Sequence, residues 1–215
     1  ETREELLRKL NHLMENEKYK KAAELLMKIK DEYYYIYGRY YFQDDMERYT
    51  PFSREGLILD TKEDFVYLGN LDYLEPSGKG VEVGCYQSDE LDVHSNSYYY
   101  VKGKFKDGLA NGKCKVYYDR MNTFGDDTIY HETYNGKYTD GMENGKFKWT
   151  IEQIDTHEKT TYYYTAKKGK RKVKGRDEDG YIAVRTVSAP YSSGTDDKDS
   201  MFTTDEDGYV AVRTI

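Results

Sequence analysis

The sequence predicts an α+β protein: an N-terminal αα-hairpin followed by an open antiparallel β-meander of stacked hairpins. Three observations carry this. Apolar side chains stand at helical spacing through residues 3–29, period-two alternation takes over from residue 63, and one glycine pattern recurs three times within the alternating region.

In the first helix Leu6, Leu7, Leu10, Leu13 and Met14 fall on one face, with charged residues opposite. A polar break at Glu15-Asn16-Glu17-Lys18 is followed by a second helical set, Tyr19, Ala22, Ala23, Leu25, Leu26 and Ile29, in which the two alanines allow close helix approach. Tyr19-Lys20-Lys21-Ala22 after the short break resembles part of a single tetratricopeptide repeat. One copy cannot form that family's groove, so a structural or docking role is expected for the pair. The aromatic block at residues 33–42 reads as the join between helices and sheet, with sugar stacking as the competing reading. Residues 43–62, with Asp44, Asp45, Pro51 and Gly56, read as a linker with little regular structure.

The recurring pattern sets a Tyr or Val two residues before a glycine, an apolar residue two after it, and a Gly-Lys pair nine after it. Its copies are Tyr67, Gly69, Leu71, Gly78 and Lys79; Val101, Gly103, Phe105, Gly112 and Lys113; and Tyr134, Gly136, Tyr138, Gly145 and Lys146, at offsets of 34 and 33 residues. Phe147, Trp149 and Ile151 alternate with Lys146, Lys148, Thr150 and Glu152, and Cys114, Val116 and Tyr118 alternate with Lys113, Lys115 and Asp119. These are half-buried antiparallel strands. Asp107-Gly108 and Asn111-Gly112 bracket one reversal, Asp140-Gly141 and Asn144-Gly145 the next, so each copy is a β-hairpin.

Residues 100–113 resemble a MORN repeat, whose units run Tyr-x-Gly-x-aromatic, then Gly, then Gly-Lys-Gly. Residues 134–147 match comparably through Tyr134, Gly136, Tyr138, Gly141, Gly145 and Lys146. In the first copy Leu71 replaces the aromatic and Leu74 the middle glycine, while Gly78-Lys79-Gly80 keeps the ending; a fourth copy around Tyr164, with Ala166 and Lys168 at key positions, is degenerate or absent. The resemblance covers about residues 65–150 and implies stacked hairpins whose glycines lie under neighbouring rings. It also implies a scaffold that holds proteins together or near membranes. The period exceeds the family's usual length because of insertions at 88–96 and 121–127.

The domain plan is therefore 1–50, helical hairpin and aromatic block; 51–62, linker; 63–176, β-hairpin repeats; and 177–215, a duplicated strand segment. In this last part residues 177–187 recur at 205–215 with Ile/Val exchanges only, 28 residues apart. The Asp-Gly-Tyr-x-x-Val-Arg pattern resembles the opening strand of bacterial SH3-type domains, but the unit is about half the length that fold needs; edge strands are the expectation.

Composition narrows function. With 37% hydrophobic residues, 25 tyrosines and 3 prolines, the core must lean on aromatic rings. A net charge of −7 argues against general nucleic-acid affinity. No stretch reaches the length of a membrane-spanning helix. The chain opens at Glu1-Thr2-Arg3-Glu4, which reads as a trimmed or processed start; localisation stays unknown, with secretion or the cell surface favoured over the cytoplasm. Cys85 and Cys114 lack Cys-x-x-Cys spacing and read as small apolar strand residues, a disulfide being the alternative.

No catalytic constellation is found: His12, His94, His131 and His157 are scattered, and there is no zinc motif, nucleophile elbow or phosphate loop. Asp177, Asp179, Asp205 and Asp207 sit in Asp-x-Asp-Gly strings that read as turns, because the downstream carboxylate of a calcium loop is missing. Asp44-Asp45 and Asp126-Asp127 carry no sign of burial. No cofactor and no metal site is expected. Seven of the ten residues 167–176 are basic, and Lys167, Lys168, Lys170, Arg171, Lys172 and Lys174 form the candidate anion-binding run, set against its simpler reading as a solvated strand. Tyr98 and Tyr100 are the candidate sugar-stacking pair. The expected function is a non-catalytic binding or scaffold module with a protein partner, an anionic lipid surface or glycan as further partners, and no nucleic acid. The alternatives are a carbohydrate-binding face of a bacterial surface protein, or an accessory region of an enzyme.

Overall fold

A computed structural model describes residues 1–43, 54–86, 97–121, 129–154, 156–176 and 182–188. The helical spacing resolves into α1 (Arg3–Glu15) and α2 (Tyr19–Glu32). Thr2 caps α1: its Oγ1 accepts the Glu5 N–H at 3.2 Å, and the Glu5 carboxylate accepts the Thr2 N–H at 2.7 Å. Leu6, Leu10, Ala22, Leu26 and Ile29 are fully buried between the helices and the sheet.

Among the described residues eleven antiparallel strands follow in strict sequence order: β1 (Arg39–Phe42), β2 (Glu55–Asp60), β3 (Phe65–Asp72), β4 (Glu75–Tyr86), β5 (Ser97–Lys106), β6 (Leu109–Met121), β7 (Ile129–Thr139), β8 (Met142–Gln153), β9 (Lys159–Lys167), β10 (Lys170–Arg176) and β11 (Ile182–Ser188). The α+β class and the helices-first order are as the sequence predicts.

Three expectations change. The sheet begins at Arg39, and half of the expected linker is strand β2, paired to both β1 and β3. Its Leu57, Ile58 and Leu59 are all buried, Leu57 and Leu59 under the helices and Ile58 on the opposite face. The Tyr164 region is a regular hairpin, β9–β10, with Lys168-Gly169 as its turn. In the duplicated segment β11 pairs with β10 as the outermost described strand; the second copy at 205–215 lies outside the described residues, as do Asp44, Asp45, the 88–96 insertion, Asp126 and Asp127.

The hairpins share one construction. Each turns on two residues with positive φ: Tyr73-Leu74, Asp107-Gly108, Asp140-Gly141 and Lys168-Gly169. That is the turn geometry whose twist matches paired strands. In the first three hairpins the register slips at the same place, between Gly69 and Leu71, Gly103 and Phe105, and Gly136 and Tyr138. Successive turns are stitched together, since Gly108, Gly141 and Gly169 donate their N–H groups to the carbonyls of Pro76, Ala110 and Glu143 at 2.9–3.0 Å.

Strict alternation sends two kinds of side chain to two faces. The cross-strand row Ile58, Tyr67, Glu82, Val101, Val116, Tyr134, Trp149 and Tyr162 runs along one face. It belongs to an aromatic core in which Tyr67 meets Phe105 edge-on at 5.1 Å and Phe147 stacks on Tyr164 at 5.2 Å. Bare glycine backbone makes room for these rings: a Cβ on Gly80 would lie 2.1–2.5 Å from Tyr67. On the other face the helices rest on β3, β4 and β5.

Candidate functional site

One residue nearer the end of the sheet that carries the Tyr73-Leu74, Asp107-Gly108, Asp140-Gly141 and Lys168-Gly169 turns lies the row Leu57, Leu68, Val81, Lys102, Lys115, Asn135, Lys148 and Tyr163. It is apolar where the helices cover it and turns cationic at β5, which α2 still touches. Two residues nearer the turns, Lys79 stands opposite Lys104 and Lys113 opposite Lys137, with Lys146 on the next strand. All eight lysines in these two rows are exposed. Of these eight, Lys102 alone has an ion pair among the described residues, to Glu17 of the helical break at 2.5 Å.

Lys102 and Lys115, like Lys113 and Lys137, face each other directly across a strand pair, a placement that costs stability through like-charge repulsion. The strip has acidic margins. Asp119, paired with His131 at 3.3 Å, and Glu152, paired with Lys159 at 3.3 Å, lie toward the far strand ends, while Asp107 and Asp140 occupy the turns. Between the lysines and that acidic row runs a neutral row, Tyr117, Thr133, Thr150 and Thr161.

The ionisable groups of the aromatic face are engaged with one another. Glu143, 4% exposed, receives two hydrogen bonds from Arg171, itself 2% exposed, and a third from the Tyr164 hydroxyl at 2.8 Å. The guanidinium also lies over the rings of Tyr134 and Tyr164, at 4.7 and 5.0 Å. Burial alone would lower the Arg171 pKa, but the Glu143 bonds outweigh it and hold the guanidinium charged; burial pushes the Tyr164 hydroxyl strongly upward. Glu132 accepts from the Tyr134 hydroxyl and from Trp149 Nε1 at 3.3 Å. Glu82 accepts from the Tyr99 hydroxyl at 3.2 Å, and burial raises its carboxyl to about 7.

The candidate residues read from sequence separate accordingly. Lys167, Lys168 and Lys170 are exposed around the β9–β10 turn. Arg171 is not part of any basic surface, because alternation turns it inward to Glu143. Lys172 and Lys174 lie in β10 opposite Thr186 and Val184, and their side chains are outside the described residues. Tyr98 and Tyr100 do not form an open stacking face: both are half-buried at the helix–sheet seam, with Tyr100 between Tyr19 at 4.8 Å and Tyr117 at 4.9 Å, and Tyr98 against Tyr117 at 5.6 Å. The exposed rings among the described residues are instead Tyr34, Tyr35 and Tyr37 before β1, Tyr73 in the β3–β4 turn and Tyr163 at the end of the row above.

Cys85 and Cys114 are free thiols; Cys85 donates to the Ala23 carbonyl at 3.2 Å and burial raises its pKa to about 12. Among the described residues no three His, Cys, Asp or Glu side chains cluster as metal ligands, and no helix is long and apolar enough to cross a membrane. Open, shallow concavities lie between the helices at Arg8, His12, Leu13 and Leu25 and beside Tyr33, Tyr34 and Tyr37.

The lysine strip had a sequence signal that went unread. Lys102-x-Lys104-x-Lys106, Lys113-x-Lys115 and Lys146-x-Lys148 each alternate with residues of the aromatic face, and only the strand register brings them side by side. No protein-family model, no curated protein and no solved structure matches this chain.

Proposed function

We propose that the chain is a non-catalytic binding module of MORN type, a rigid hairpin platform that docks a protein partner on the sheet face left open beyond the helices. The carrying observation is the division of labour between faces. Polar groups on the aromatic face are spent on internal bonds, whereas the opposite face from β5 onward presents lysines in rows at a cost in cross-strand repulsion. The equivalent turns and the register slip at the same point in three hairpins support the MORN assignment.

Photo-crosslinking in the source cell tests the docking face. A photoreactive residue at Thr133 or Thr150 is expected to give a discrete protein adduct, and one at Glu4, on the outer side of α1, is expected to give none. Equal labelling from both faces, or no adduct from the open face, overturns the proposal.

A further inference from the structure

We infer that the lysine strip receives an acidic protein segment in extended conformation, which deepens and rests on the proposal that this face docks a protein. Lysines of one strand, such as Lys113 and Lys115 or Lys146 and Lys148, stand two residues apart, roughly 6.8 Å along the strand. Alternate side chains of an extended peptide repeat at the same distance, so carboxylates at every second position meet successive amines without strain. Neighbouring strands add a second column about 4.8 Å away, so each carboxylate has two amines within reach.

The exposed amines supply charge complementarity, and long Lys side chains tolerate sequence variation in the segment. The acidic margins select against a broad anionic plane. A bilayer resting on the strip would press its headgroups onto the exposed turn aspartates Asp107 and Asp140, in a chain whose net charge is already −7. A single extended segment lies along one strand pair and meets each margin at one point only. The neutral Thr133 and Thr150 flank it with hydroxyl donors.

Like-charge strain makes a prediction that a merely solvated face does not share. Removing lysines from the strip leaves the fold as stable or more so while binding falls.

The test uses the full chain and a fluorescent peptide of alternating Glu and Ser, with Lys113→Gln, Lys115→Gln, Lys137→Gln and Lys148→Gln combined. Lys18→Gln, Lys20→Gln, Lys21→Gln and Lys28→Gln form the control, removing the same charge from the helical hairpin. Peptide affinity is expected to fall at least about tenfold in the strip variant and to change less than about twofold in the control, with the wild-type affinity declining steeply as salt rises. Equal losses in both variants, or no peptide binding by the wild type, overturns the inference. So does binding to vesicles containing phosphatidylserine, with the same lysine dependence, in place of the peptide. If the peptide fails while Thr133 and Thr150 still crosslink a protein, the inference falls and the docking proposal stands; if both fail, both fall.

Discussion

Arg171 grips Glu143 with two parallel hydrogen bonds, Nε to Oε2 and Nη2 to Oε1, each 2.6 Å long, and both side chains are almost wholly buried. The pair joins β10 to the first residues of β8 across β9, so it fixes how the fourth hairpin lies on the third. Cutting either partner leaves a charge stranded among aromatic rings. Arg171→Ala and Glu143→Ala are each expected to cost about 3–5 kcal/mol. The double variant is expected to cost well under the sum, a coupling that a double-mutant cycle by urea denaturation measures. Lys170→Gln, one residue away and exposed, is expected to shift stability by no more than about 0.5 kcal/mol.

Tyr67 is completely buried, and its ring lies on the backbone of Gly80. A methyl group there has no space, since the contacted atoms belong to a ring locked among Phe105 and the core. Gly80→Ala is expected to destabilise by about 1–3 kcal/mol through overpacking. Pairing it with Tyr67→Leu restores part of the loss, which thermal unfolding of the two variants compares.

How far the sequence foretold this molecule depended on whether one face of an element was wet. α1 and α2 were legible because each has a solvated side, and the hairpins were legible because lysines alternate with rings. Strand β2 was not, because Leu57, Ile58 and Leu59 are buried on both faces and show no alternation. The β9–β10 hairpin hid because Ala166 replaces the glycine and the strands pair without the register slip of the first three. Arg171 was misplaced for a related reason: a contiguous basic run ignores that neighbours in a strand point to opposite faces. The lysine strip required the register itself, which sets Lys102 beside Lys115 though they are 13 residues apart in the chain.

Leu74 holds φ at +63° and follows Tyr73 at +47°, in the position that Gly108, Gly141 and Gly169 fill in the other turns. Its side chain is 41% exposed and gains little from packing. Leu74→Gly is therefore expected to stabilise by about 1 kcal/mol, the left-handed penalty outweighing the entropy that glycine adds to the unfolded chain. A higher urea midpoint with an unchanged slope is the expected readout; a lower midpoint shows that Leu74 contributes packing that the exposed position conceals.

Glu82 gives the fold its own pH dependence. Burial raises its carboxyl from an ordinary value of 4.5 to about 7, against the opposing pull of the Tyr99 hydroxyl bond. Between those values the folded chain holds a proton that the unfolded chain releases, so folding grows less favourable as pH rises. The contribution is fully present below about pH 4.5 and is lost by the time the pH has passed 7. Its size is on the order of 1–3 kcal/mol. Glu82→Gln keeps an uncharged side chain of the same shape at that place in the row between Tyr67 and Val101. It is expected to leave stability near pH 4.5 little changed and to raise it at pH 8, flattening the profile in between. Urea melts of both proteins at half-unit pH intervals measure the difference, and a variant profile parallel to the wild type assigns the titration to another group.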